Sequence, residues 1–158
     1  RHPITRTQVF HFGPQRGFVT VGISLNGTEI SFVATHTYPR YWMKHTGFQW
    51  RNEALEQGLG KQLKELPQPV LVMGDLNASP WSPAFKRMIK TSGLQDARRG
   101  RGLLVTQHGH GNITKWLWRP IDHCLYSSGI AVTNFRTGPN LNSDHLPLVT
   151  EFWLSAEH

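Results

Sequence analysis

The chain has 158 residues and is 38% hydrophobic, with six Trp and eight Phe, which suits one domain with a substantial core and excludes a disordered chain. No apolar run approaches the roughly 18 residues of a membrane span, and no secretory signal is visible. Seventeen Lys and Arg against ten Asp and Glu give a net charge of +7, a field that favours anionic partners such as phosphoesters, nucleic acid or acidic head groups without choosing among them.

In FVTVGISLNGTEISFVATH two alternating runs flank Asn26-Gly27, a strong hairpin signal. Val19, Val21, Ile23 and Leu25 share one face of the first strand. Ile30, Phe32, Ala34 and His36 share one face of the second, which His36 closes. TYPRYWMKHTGF follows as a loop. QWRNEALEQGLGKQLKEL carries Leu55, Leu59, Leu63 and Leu66 at near-helical spacing and predicts an amphipathic helix, weakened by Gly58 and Gly60.

PVLVMGD reads as a short strand covered on both faces. Ser82 caps a helix with Pro83 in its first turn, Phe85, Met88 and Ile89 as its inner stripe and Gly93 as its stop. From Asp96 to Arg119 the chain is loop-rich and basic. IDHCLYS, IAVTNFR and LPLVTEFWL complete the strands, which gives a mixed α/β domain of sheets covered by helices. The single cysteine, Cys124, excludes an intrachain disulfide and reads as a small core residue.

Polar side chains collect where these strands end. His36 ends one, Asp75 and Asn77 follow another, Asp122 begins a third, and Asp144 and His145 precede the last. A rigid sheet that opens into loops is where sites form. GDLN, PIDHCLYS and NSDHLPLV, in this order, with VATHTYP before them, resemble the signature motifs of the endonuclease/exonuclease/phosphatase superfamily, the DNase I-like metal-dependent phosphoesterases. GDLNASPWSPAFKRMI is most similar to a bacterial subgroup of uncharacterised members, often membrane-associated.

The resemblance implies a DNase I-like sandwich of two mixed β-sheets flanked by helices, and hydrolysis of a phosphate ester by an activated water. It implies that Asp75 orients or deprotonates the water and Asn77 hydrogen-bonds the phosphate. His145 contacts the phosphate, Asp122 fixes its tautomer, and His36 serves the leaving-group side. Asp144 and Asp75 are the implied ligands of Mg²⁺ or Mn²⁺, ions that suit hard oxygen donors.

The family pattern also has an upstream half, with an Asn closing one strand and a metal-binding Glu closing the next, and neither is identifiable here. RHPITRTQVF resembles a strand from the middle of the family domain, so the expectation is a domain incomplete on its N-terminal side. From that follow an incomplete metal site and an exposed strand edge that pairs with a missing segment or a second copy. The alternative function is a non-catalytic remnant that binds a phosphorylated or nucleic-acid partner without hydrolysing it.

Other groups have plainer explanations. Arg98, Arg99 and Arg101 with Lys86, Arg87 and Lys90 form a basic region that could track nucleic acid, but the helical three fit an ordinary solvent face. Trp116 and Trp118 could stack bases, but alternating aromatics before a strand fit a core. His108 and His110 fit a flexible loop better than a metal tract.

Overall fold

A computed structural model of the chain describes residues 2–12, 16–39, 46–108 and 118–155. Its first three strands, β1 (Ile4–His11), β2 (Gly17–Leu25) and β3 (Thr28–His36), form an antiparallel meander. The β2–β3 turn is the predicted one. Leu25 pairs with Thr28 across Asn26 and Gly27, whose φ values of 52° and 86° are the two positive angles that a two-residue hairpin turn needs.

The chain leaves β3 and returns as β4 (Val70–Asp75) parallel to it, by way of one helical run. That run is α1 (Gly47–Glu53), a π-helical segment (Ala54–Leu59) and α2 (Gly60–Glu65). The Gly60 N–H reaches back five residues to the Leu55 carbonyl. Leu55, Leu59, Leu63 and Leu66 are all buried, as their spacing predicts.

The two glycines have a packing reason. A Cβ on Gly60 would stand 3.4 Å from Met88 Cα, and one on Gly58 would stand 3.1 Å from the Phe12 side chain. Lost helix propensity of about 1 kcal/mol per glycine is offset by close approach of the neighbouring elements. α3 (Pro83–Ser92) starts where Ser82 Oγ accepts the Phe85 N–H at 3.3 Å, and ends at Gly93 with φ 73°.

The short β5 (Gln95–Asp96) and β6 (Asp122–Tyr126) complete a six-stranded mixed sheet in the order β1-β2-β3-β4-β6-β5. β7 (Ile130–Thr137) and β8 (Leu148–Leu154) form a two-stranded antiparallel sheet. One face of the large sheet, with Phe18, Val33, Val72 and Leu125, packs on the helices through Leu55, Leu59, Leu63, Phe85 and Met88. The other, with Ile30, Phe32, Leu71, Met73 and Cys124, packs on Ile130, Phe135, Leu148 and Phe152 of the small sheet. Cys124 is a packing residue, and burial pushes its thiol up to about 11.

The architecture is the predicted sandwich, but among the described residues its second sheet has two antiparallel strands and is not the mixed sheet expected. That sheet lies over β3, β4 and β6. On the same face of the meander, Val9 pairs with Val19 and remains 59% exposed, and Val19 remains 36% exposed. Exposed valines side by side on a strand pair near the sheet edge favour association. Residues 1–158 are expected to bind an apolar dye and to scatter light as more than a monomer. Val9→Lys with Val19→Lys should reduce both signals at unchanged circular dichroism, and a dye-silent monomer in the unsubstituted chain would refute this.

Candidate active site

Parallel pairing brings the ends of β3 and β4 level, so His36 is the register partner of Asp75, and Asp75 that of Asp122 in β6. Residues two apart along a strand share a face, which places this row on the Met73–Cys124 side at the sheet's end. Gly74 makes the approach possible. Its φ is 154°, and a Cβ there would stand 1.9 Å from the Thr35 carbonyl oxygen.

Past Asp75 the chain is braced at four successive carbonyls. The Asp75 carbonyl accepts the Thr37 N–H at 3.0 Å, and the Leu76 carbonyl accepts the Thr37 hydroxyl at 2.6 Å. The Asn77 carbonyl accepts from the buried Arg51 guanidinium at 3.0 Å, and the Ala78 carbonyl from buried His123 Nε2 at 2.8 Å. Asn77 sits at φ 47°, a left-handed conformation that Asn tolerates. Its side-chain amide donates to the Thr37 carbonyl and to Asp75 Oδ2, both at 3.1 Å, and its N–H donates to Asp75 Oδ1 at 2.7 Å.

His145 arrives from the β7–β8 connection. Its Nδ1 lies 2.8 Å from Asp122 Oδ2, which also accepts the hydroxyl of fully buried Thr106 at 2.5 Å. A carboxylate only accepts, so the proton is on Nδ1 and Nε2 turns inward. Nε2 stands 4.0 Å from Asp75 Oδ2 and 3.8 Å from Asp144 Oδ2. His36 is set the opposite way. Arg16 donates to its Nδ1 at 2.9 Å, so the proton of the neutral ring is on Nε2, 3.5 Å from Asp75 Oδ2. Burial and then Arg16 hold the His36 pKa below its ordinary 6.5.

Burial is also the chief reason that Asp75 is pushed up to about 6. The Asn77 N–H opposes that shift, and the nearby Asp122 adds to it. The donor atoms of Asp75, Asp122 and His145 lie within 4.8 Å of one another. Two converging carboxylates and an imidazole fit a hard divalent cation, which would relieve their mutual repulsion.

The structure thus brings His36, Asp75, Asn77, Asp122 and His145 together, with Asp144 beside them, its side chain 39% exposed. Sequence reasoning placed Asp144 with Asp75 as metal ligands; Asp75 belongs to the converging trio among the described residues with Asp122 and His145, and Asp144 Oδ2 lies 3.8 Å from His145 Nε2. It missed Arg16, Arg51, Thr106 and His123, whose roles depend on long-range contacts that no spacing marks. The basic region does not form one track. Arg98 is buried with its guanidinium on the Asp122 carbonyl at 2.8 Å, and Arg87 makes a paired contact with Glu56 at 2.8 and 2.7 Å. Trp118 is 44% exposed and is not a core residue. Trp116 and His110 lie outside the described residues.

Two expectations follow. Gly74→Ala forces a side chain into the Thr35 carbonyl, and should cost more than about 2 kcal/mol of stability, read as a melting-temperature drop. Asp75, raised in the folded state, binds more protons folded than unfolded between pH 3.8 and about 6, so its contribution to stability falls as pH rises through that window. In EDTA, Asp75→Asn should therefore gain stability relative to the unsubstituted chain, by about 1–3 kcal/mol, between pH 4 and pH 7. Parallel denaturation curves at the two pH values would contradict the shift.

Comparison with curated proteins finds no match. Among solved structures, the human Nocturnin catalytic domain superposes with a TM-score of 0.77 at 20% identity, over 98% of this chain and 61% of that one. An endonuclease/exonuclease/phosphatase from Beutenbergia cavernae gives 0.76 at 20% identity, over 97% and 46%. A mannosyl-6-phosphatase from Bacteroides thetaiotaomicron gives 0.71 at 18% identity, over 98% and 68%. The chain spans 61% and 46% of the first two structures' lengths, and at these identities the likeness shows the fold. The profile of the Endonuclease/Exonuclease/phosphatase family matches residues 1–145, and the chain belongs to that family.

Proposed function

We propose that the chain is a divalent-metal-dependent phosphoesterase that cleaves a phosphate ester with an activated water. The observation that carries this reading is the convergence of Asp75, Asp122 and His145 at the end of one sheet, with His36 level with Asp75. Two imidazoles with opposite proton placements flank one partly desolvated carboxylate, an arrangement suited to in-line displacement at phosphorus.

Asp75, with a pKa near 6, is ionised at neutral pH yet basic enough to take a proton from the attacking water. The water oxygen forms the new bond to phosphorus as the ester P–O bond breaks. His145, held by Asp122, presents Nε2 to a non-bridging oxygen and donates to it when protonated. His36, with its proton on Nε2, faces the leaving oxygen and supplies it with a hydrogen bond. Asn77 ties Asp75 to the end of β3 and holds the carboxylate in place. The carboxylates of Asp75 and Asp122, with Asp144 beside them, would hold Mg²⁺ or Mn²⁺, which would supply charge neutralisation at the phosphate.

The test is release of p-nitrophenol from bis(p-nitrophenyl) phosphate with Mg²⁺ or Mn²⁺. EDTA should abolish it, and Asp75→Ala and His145→Ala should each reduce it by about 10²- to 10⁴-fold with the fold retained. Release at the buffer level from folded protein, with inorganic phosphate still bound, would replace this reading with a phosphate-binding protein of the same fold.

A further inference from the structure

We infer that Arg119, in one cross-strand row with Gln107 and His145, binds a second anionic group of the substrate, so that the favoured substrates are phosphate esters that also carry a carboxylate or a further phosphate. This deepens the phosphoesterase reading and rests on it for the position of the reacting phosphate. Gln107 bridges antiparallel to Arg119 on one side and to His145 on the other. Residues opposed across antiparallel strands send their side chains to the same side, so Arg119, Gln107 and His145 share one. That side is the site, because His145 Nε2 faces Asp75 and Asp144 there and the Gln107 amide stands 3.5 Å from Asp144 Oδ2. The Arg119 carbonyl accepts the N–H groups of both Thr106 and Gln107, at 3.0 and 2.9 Å. Two residues facing one is a β-bulge, and this one brings the Thr106 hydroxyl to Asp122 while Gln107 stays level with His145.

The row also fixes the spacing. Arg119 and Gln107 exchange both backbone hydrogen bonds, at 2.9 Å each, whereas Gln107 and His145 form the narrower pair between the His108–Asp144 and Leu146–Thr106 bonds. Such pairs place Arg119 about 10 Å from His145 at the backbone, a span that two anionic groups on one small molecule bridge. Arg119 is half-buried, and its Nε is buried without an acceptor. No carboxylate among the described residues pairs with it, whereas Arg6 and Arg87 hold Glu29 and Glu56. Arg98 and Arg101 spend their guanidinium groups on backbone carbonyls. A planar fork of fixed charge matches the two oxygens of a carboxylate or phosphate, and a stem already held loses little entropy when they bind. Asp75, Asp122 and Asp144 make the rest of the site acidic, so a multiply charged ester gains from one fixed cation at its edge.

The test measures binding in EDTA, where no turnover is expected. Titration calorimetry would compare glycerol 3-phosphate with 3-phosphoglycerate, which adds a carboxylate to the same carbon skeleton, and with glycerol 1,3-bisphosphate, which adds a phosphate. At least one of the two should bind about tenfold more tightly than glycerol 3-phosphate, and the tighter one identifies the second group. Arg119→Gln should erase that gain and leave the affinity for glycerol 3-phosphate unchanged, while Arg119→Lys, which keeps the charge and loses the fork, should keep part of it. Lys61→Gln, which removes the same charge from an exposed position on α2, should leave the gain intact. No gain in the unsubstituted chain, a gain that survives Arg119→Gln, or one that Lys61→Gln erases equally would overturn the subsite. A gain that is lost in Arg119→Gln, in a protein that fails the p-nitrophenyl assay, would sink the phosphoesterase reading and leave the subsite standing.

Discussion

The site depends on the four braced carbonyls from Asp75 to Ala78. A strand that ends in solvent would leave these acceptors to water and its terminal carboxylate free to rotate. Here Thr37 holds two of them from the parallel neighbour, Arg51 holds the third from the crossover helix, and His123 holds the fourth from β6, the antiparallel neighbour. Arg51 and His123 are both buried. Polar groups removed from water must find partners or impose a cost of about 1–3 kcal/mol each, so the brace also commits three separate elements to one arrangement. Asp75 inherits its position from that commitment.

Chemistry then follows from which partner each imidazole has. Asp122 accepts from His145 and Arg16 donates to His36, so two rings that both turn Nε2 toward one carboxylate differ in whether that nitrogen carries the proton. Asp122 is positioned in turn by fully buried Thr106 through its side chain and by Arg98 through its carbonyl. The buried arginines and threonine act at one remove: they fix the geometry of the groups that would meet a substrate.

Much of this was legible in the sequence where local rules govern. Asn26-Gly27, Ser82-Pro83, Gly93 and the leucine spacing each specify backbone geometry within a few residues, and each appears as read. The residues that meet at the sheet's end were legible as a group because each lies at or within a few positions of a strand boundary. Long-range partners were not legible. Nothing in the spacing of Arg51, Thr106 or His123 says which carbonyl or carboxylate they will meet, because the distance is closed by the fold. Arg98 looked like surface charge for the same reason, and Trp118 looked like core because alternating aromatics do not reveal which face is covered. The π-helical segment was hidden behind leucine spacing that suits either helix.

The parallel pairing of β3 with β4 has a consequence for how the molecule is made. His36 and Asp75 become neighbours only after the entire helical crossover has folded back on the sheet. The β1–β2–β3 meander is built from contacts close in sequence and can form early, whereas closing the crossover is a non-local event with a larger entropic barrier. A nascent or partly denatured chain can therefore own a well-formed meander and no site at all. The site in this molecule is a late product of folding, assembled when the crossover docks.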